Sequence, residues 1–228
     1  MSARTNLLDK IQRRTARVGV IGLGYVGLPL ATEFARSGFE VIGIDVSADK
    51  VASINAGHSY IPDIAAADLH TVTQEDKLSA TTDYSAIQEL DTVSICVPTP
   101  LRKTRDPDMS HVVSAAEAMV PYLHPGMLIV LESTTYPGTT VEVVLPKMLT
   151  NGYTAGNEIF IAFSPERIDP ANPAYGVHNT PKVIGGVTSA CGDVAVALYD
   201  TIVEHVVPVS SPQTAEMVKL LENTFRAV

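Results

Sequence analysis

The apolar strand pattern Val18 to Leu23 runs into Gly22-x-Gly24-x-x-Gly27, and a helical pattern carrying Leu28, Leu30 and Phe34 follows at once. Few folds accommodate that order. Gly22 permits a tight turn, Gly24 lets the backbone approach a pyrophosphate, and Gly27 lets helix and strand pack closely. The free N–H groups of the first helical turn then favour a phosphate. A second strand pattern, Glu40 to Asp45, ends in an acid 18 positions after Gly27. A carboxylate there can accept hydrogen bonds from the adenosine ribose hydroxyls and repel a 2′-phosphate, so the expected dinucleotide is NAD and not NADP. Alone, the loop could be a tight structural turn; strand, helix and acid together favour the dinucleotide.

Further strand-like runs, Asp91 to Pro98, Met127 to Glu132, Ile159 to Ser164, Lys182 to Gly186 and His205 to Val209, alternate with helix-like stretches. These are Ser47 to Ala56, Ser110 to Tyr122, Thr139 to Thr150 and Ser189 to Val203. The alternation predicts an α/β fold, a Rossmann-like, doubly wound and mainly parallel sheet with helices on both faces. Ser210, Ser211 and Pro212 mark a boundary. Residues 1–212 are expected to form the NAD-binding domain. Residues 213–228 are expected to start a helix, with Met217, Val218, Leu221 and Phe225 on one face, that leads into a central or dimerisation domain absent from this chain. That helical pattern stops without a C-cap glycine or a proline.

With 228 residues, 46% of them hydrophobic, the chain can bury a substantial core. Its net charge of -9 and the absence of any Lys/Arg cluster argue against nucleic acid and anionic membranes as partners. No apolar run reaches membrane length or resembles a secretory leader. Cys96 and Cys191 form no CxxC pair and the histidines show no ligand spacing, so neither a disulfide framework nor a metal site is expected. A cytoplasmic location fits that cysteine usage.

Beyond the glycine loop, four segments occur in order: Cys96 to Pro100 (CVPTP), Glu132 to Gly138 (ESTTYPG), Phe163 to Arg167 (FSPER) and Glu216 to Phe225 (EMVKLLENTF). As a set they resemble the UDP-glucose/GDP-mannose dehydrogenase family over nearly the whole chain. The stretches Val97 to Leu101, Asp106 to Ser110 and Ser164 to Pro170 are most similar to the branch acting on UDP-N-acetylhexosamines, with UDP-GlcNAc favoured over its mannosamine epimer. The resemblance implies oxidation of the sugar C6 hydroxyl to a carboxylate with two NAD, through a cysteine thiohemiacetal and thioester, in the supply of uronic acids for surface polysaccharide.

The resemblance also implies roles for single residues. Gly22, Gly24, Tyr25, Val26, Gly27, Asp45, Lys50, Val97, Pro98, Thr99, Ser133 and Thr134 would line the cofactor site. Thr134 would orient water, Glu166 would touch the sugar and assist hydrolysis as a base, and Lys219 with Asn223, four apart on one helical face, would hold an oxyanion at C6. Arg167 is either a bidentate clamp for an anion or a solvated side chain. On helical periodicity alone, Glu216, Lys219, Asn223 and Arg226 read as the polar stripe of an amphipathic helix.

The family's nucleophile sits in a Gly-Gly-x-Cys-x-Pro segment, and these 228 residues hold none; neither Cys96, mid-strand, nor Cys191 stands in such a context. The chain alone is therefore expected to be catalytically incomplete, and the full-length protein to be a homo-oligomer. The alternatives are a UDP-glucose 6-dehydrogenase and, outside enzymes, a module in which NAD shifts a conformational equilibrium.

Overall fold

The computed structural model describes residues 2–62, 64–103, 106–166 and 176–227, except for the side chains at 223, 226 and 227. Along the chain run α1 (Ala3–Gln12), β1 (Arg17–Ile21), α2 (Gly27–Arg36), β2 (Glu40–Ile44), α3 (Ala48–Asn55), α4 (Ala66–Gln74), β3 (Leu78–Thr81) and β4 (Thr92–Ile95). They are followed by α5 (Ser110–Met119), β5 (Leu128–Leu131), α6 (Leu145–Met148), β6 (Phe160–Phe163), β7 (Lys182–Gly186), α7 (Ser189–Tyr199), β8 (Val206–Val209) and α8 (Pro212–Ala227). The expected doubly wound sheet is present, in the order β3-β2-β1-β4-β5-β6-β7-β8. All neighbours are parallel except β6 and β7.

Burial on both faces explains why the central strands read as unbroken apolar runs: every residue of β4, β5 and β6 is buried. One cluster, with Val18, Leu28, Phe34, Leu69 and Tyr199, covers one face of the sheet. The other, with Ile95, Val112, Met119, Ile129 and Ile161, covers the opposite face. Helix α2 turns Leu28, Leu30, Ala31 and Phe34 inward, as its periodicity predicts. The Ser47 hydroxyl accepts from Lys50 N at 3.4 Å at the start of α3. At the start of α7, Thr188 Oγ1 accepts from Cys191 N at 3.2 Å, a local reason for that helix to begin there.

Strands β1 and β4 are neighbours, yet the chain leaves β1 toward β2 and β3 before returning to β4. Connections that depart in opposite directions open a crevice at the carboxyl ends of β1 and β4, where ligands of such sheets bind. The sequence reading passed over three elements, α1, α4 and β3. Thr139 to Thr150 is not one regular helix: a π-helical turn, Thr140–Val144, runs into α6. Helix α8 starts at Pro212, and its first turn lies against β7 because Gly185 has no side chain; a Cβ there would stand 2.2 Å from Ser211 O.

Candidate functional site

At the crevice a cleft of about 450 Å³ is lined by Gly22, Gly24, Tyr25, Val26, Asp45, Lys50, Cys96, Val97, Pro98, Thr99, Glu132, Ser133, Thr134, Glu166 and Lys219. Segments separated by nearly 200 residues meet there because each follows the carboxyl end of a parallel strand or, for Lys219, sits on the helix laid across β7. Eleven of the twelve residues expected at a cofactor are in this wall. The twelfth, Gly27, stands behind it: a Cβ at Gly27 would fall 1.8 Å from Gly22 O, so only glycine lets α2 start this close to the loop. Gly22 has φ +89°, a conformation that glycine adopts without strain.

The cleft also passes a test of fit for a dinucleotide. A Cβ built on Gly24 would meet nothing within 4 Å, so the backbone there faces open space of the kind a pyrophosphate needs. The N-terminus of α2 has no side-chain cap, which leaves its first amides available to an anion. Asp45 is only 7% exposed, and its carboxylate accepts from Leu23 N at 2.8 Å, Ser47 N at 2.9 Å and Lys50 Nζ at 3.2 Å. It thus ties the glycine loop to β2 besides facing the cleft. Tyr60, which the sequence reading missed, donates to Leu23 O at 2.6 Å. Burial first and the Asp45 carboxylate second keep its phenol above the usual range, so it stays a donor. An adjoining hollow of about 340 Å³, between Asp45, Val46, Tyr84, Val97, His111 and Ser114, extends the cleft over the carboxyl ends of β1 and β2.

On the other flank, Thr99 Oγ1 donates to Thr134 O at 2.7 Å, and Ser133 Oγ donates to Val97 O at 2.7 Å. These bonds clamp the loops after β4 and β5 together. Ser133 therefore spends its hydroxyl on the loop, while the exposed Thr134 keeps its own at the cleft wall. Lys219 Nζ donates to the backbone carbonyl of Glu166, which brings two of the expected catalytic residues into contact. Asn223 is one turn further along α8, and its side chain lies outside the described residues, as does Arg167.

Two features were not foreseen. Glu216, read from periodicity as part of a polar stripe, is fully buried: its carboxylate accepts from Gly138 N at 2.6 Å, Thr140 N at 2.9 Å and Thr140 Oγ1 at 2.7 Å. It fastens α8, and so Lys219, to the turn that follows Thr134. The second is a buried polar chain behind the cleft. Lys182 Nζ lies 2.5 Å from Glu132 Oε2 and 3.6 Å from Glu166 Oε2. The other Glu132 oxygen accepts from the Tyr199 hydroxyl, which is 3.1 Å from Ser94 Oγ. Burial opposes the Lys182 charge, but the facing carboxylates of Glu132 and Glu166 outweigh it and hold the ammonium above the usual lysine value. Burial likewise pushes the Cys96 thiol well up, so it stays protonated and a poor nucleophile. Cys191 is fully buried in the first turn of α7.

Residues 16–203 match the family described as UDP-glucose/GDP-mannose dehydrogenase family, NAD binding domain. The chain belongs to that family. Its matched segment is the family's NAD-binding domain, and NAD is its cofactor. The UDP-N-acetyl-D-mannosamine dehydrogenase of Escherichia coli K12 is 39% identical over 222 residues, covering 93% of this chain and 52% of the relative. The enzyme of that name from Pyrococcus horikoshii is 36% identical over 216 residues, covering 93% and 51%. Among solved structures, the NDP-N-acetyl-D-galactosaminuronic acid dehydrogenase of Methanosarcina mazei superimposes with a TM-score of 0.87 at 33% identity, covering 99% of this chain and 50% of that one. The chain thus spans about half the length of the relatives it matches. Among the described residues no helix is long and apolar enough to cross a membrane, and no group of acidic, His and Cys side chains could hold a metal ion.

Proposed function

We propose that this chain is the cofactor half of a dehydrogenase that oxidises the C6 hydroxyl of a UDP-N-acetylhexosamine to a carboxylate. The observation that carries the reading is the meeting of Thr134, Glu166 and Lys219 at the mouth of the cleft that the glycine loop and Asp45 define. When bound, NAD supplies the oxidising power. Gly24 and the first turn of α2 would hold its pyrophosphate, Asp45 and Lys50 its adenosine ribose, and Thr99 would contact it from the loop after β4. Lys219 and Asn223 stabilise negative charge on the sugar oxygen, a kind of contact whose removal costs on the order of a hundredfold in turnover. Thr134 and Glu166 orient and deprotonate the water that releases the acid. The thiol that carries the acyl group belongs to the part of the protein beyond the matched half, because the buried Cys96 and Cys191 are unsuited to it.

The sequence alone favours UDP-GlcNAc; the names of the curated relatives now make UDP-ManNAc the first substrate to try. Residues 1–212 are assigned as the cofactor domain and α8 as the lead into the next. The exposed Met217, Leu221 and Phe225 on α8 are assigned to contacts made in a full-length oligomer working in the cytoplasm.

The test is turnover of the full gene product with NAD and a panel of UDP-sugars. A UDP-N-acetylhexosamine is expected to be the preferred substrate, and Lys219→Ala to lower kcat about a hundredfold with NAD affinity unchanged. Preference for UDP-glucose would overturn the substrate, and a mild Lys219→Ala effect would overturn the role of that residue. Saturable NAD binding by a full gene product that oxidises no UDP-sugar would favour a sensing module instead.

A further inference from the structure

Lys182 opens β7, the strand that runs against its neighbour β6. In a wholly parallel sheet the first residue of a strand lies at the edge away from the ligand. The reversal puts Lys182 at the ligand edge instead: Phe163 pairs with Gly185 and Ala162 with Gly186, and extending that register sets Lys182 opposite Glu166. Lys182 is 5% exposed and its ammonium fits between two carboxylates, Glu132 at 2.5 Å and Glu166 at 3.6 Å. Such a group is not explained by stability, since an apolar pair of similar volume holds a core at least as well as a buried ion pair. Nor does Lys182 line the cleft; its neighbour Glu166 does.

We propose that Lys182 is a positioning residue that acts through Glu166, holding its carboxylate turned to the cleft, with Glu132 setting how strongly it does so. Among the described residues, the charged and titratable groups around Glu166 include Lys182 from β7, Glu132 from the end of β5 and Lys219 from α8, with the Cys96 thiol and the Tyr199 hydroxyl behind them. Glu132 neutralises most of the ammonium, and the Tyr199 hydroxyl, itself bonded to Ser94, fixes the second Glu132 oxygen so that the pair cannot rotate. Glu166 therefore faces the positive end of a fixed dipole and not a bare cation. A carboxylate held that way faces the cleft, where a base in hydrolysis must meet its water. The inference rests on the role given to Glu166 above.

The test reads the carboxyl carbon of Glu166 by NMR across a pH titration of the 228-residue chain, with no substrate present and with Glu166→Gln identifying the resonance. Glu132→Gln is expected to lower the Glu166 midpoint by releasing the field of the ammonium. Lys182→Met is expected to raise it by about one pH unit or more, the effect of losing an opposite charge within about 4–6 Å. If Lys182→Met does not fold, Glu132→Gln/Lys182→Met is compared with Glu132→Gln, from which it differs only in the ammonium, and must titrate about one pH unit higher. Midpoints that stay within a tenth or two of the parent would overturn the proposal. A shifted midpoint together with unchanged turnover in Glu166→Gln full-length protein would instead keep the coupling and remove the base role of Glu166.

Discussion

Glu132→Ala is expected to lower the free energy of unfolding by about 3 to 5 kcal/mol, the usual cost of removing one partner from a buried ion pair. Glu132 is 1% exposed, and its two oxygens serve Lys182 and Tyr199 separately. Truncation leaves a buried ammonium with, among the described residues, Glu166 as its remaining carboxylate neighbour and takes the Glu132 acceptor away from a buried phenol. Replacing both charges, as Glu132→Leu/Lys182→Met, should restore most of the loss, because neither desolvated charge then remains. Urea unfolding followed by circular dichroism measures both. A loss below about 1 kcal/mol in Glu132→Ala would mean that water reaches the pair and that the site is less enclosed than its geometry shows.

The second large effect separates two glycines three residues apart. Gly27→Ala should destabilise the chain by about 3 kcal/mol, at the upper end for overpacking, because its methyl would meet the backbone oxygen of Gly22, which cannot rotate away. NAD binding should be lost with it. Gly24→Ala should leave stability within about 0.5 kcal/mol, since nothing lies within 4 Å of the new methyl. It should nevertheless weaken NAD strongly, because that methyl occupies the open space beside the first turn of α2. Thermal melts and calorimetry of the two variants distinguish a folding glycine from a binding one. Equal effects of both substitutions on stability would contradict this division.

The β1–α2–β2 unit was legible because its chemistry is local: a turn, a close approach, a helix start and an acid all fall within 28 residues, from Val18 to Asp45. The buried strands were legible because coverage on both faces leaves them apolar throughout. Strand β3 was not, since Leu78–Thr81 alternates buried and half-exposed or exposed positions over only four residues. Helix α1 hides its two buried residues, Leu7 and Ile11, among charged ones. Most of the site came from segments that resemble a family, and the cleft gathers them in one wall. What escaped was the scaffold around it. Glu132 and Lys182 are 50 positions apart and look like ordinary surface charges until the reversal of β7 brings them together. Glu216 carries the spacing of an exposed helical stripe, and its partners, Gly138 and Thr140, lie 78 and 76 positions away. A helical period says which residues share a face; it does not say what that face meets.

The central claim is that the glycine loop and Asp45 form a site that takes NAD and rejects NADP. Calorimetric titration of the 228-residue chain with each dinucleotide tests it most directly. Saturable NAD binding is expected, with NADP clearly weaker, and with Asp45→Ala losing about 1 to 3 kcal/mol of NAD affinity, the range for a charge-assisted hydrogen bond. Equal affinity for NAD and NADP, or an Asp45→Ala variant that binds NAD as the parent does, would contradict it.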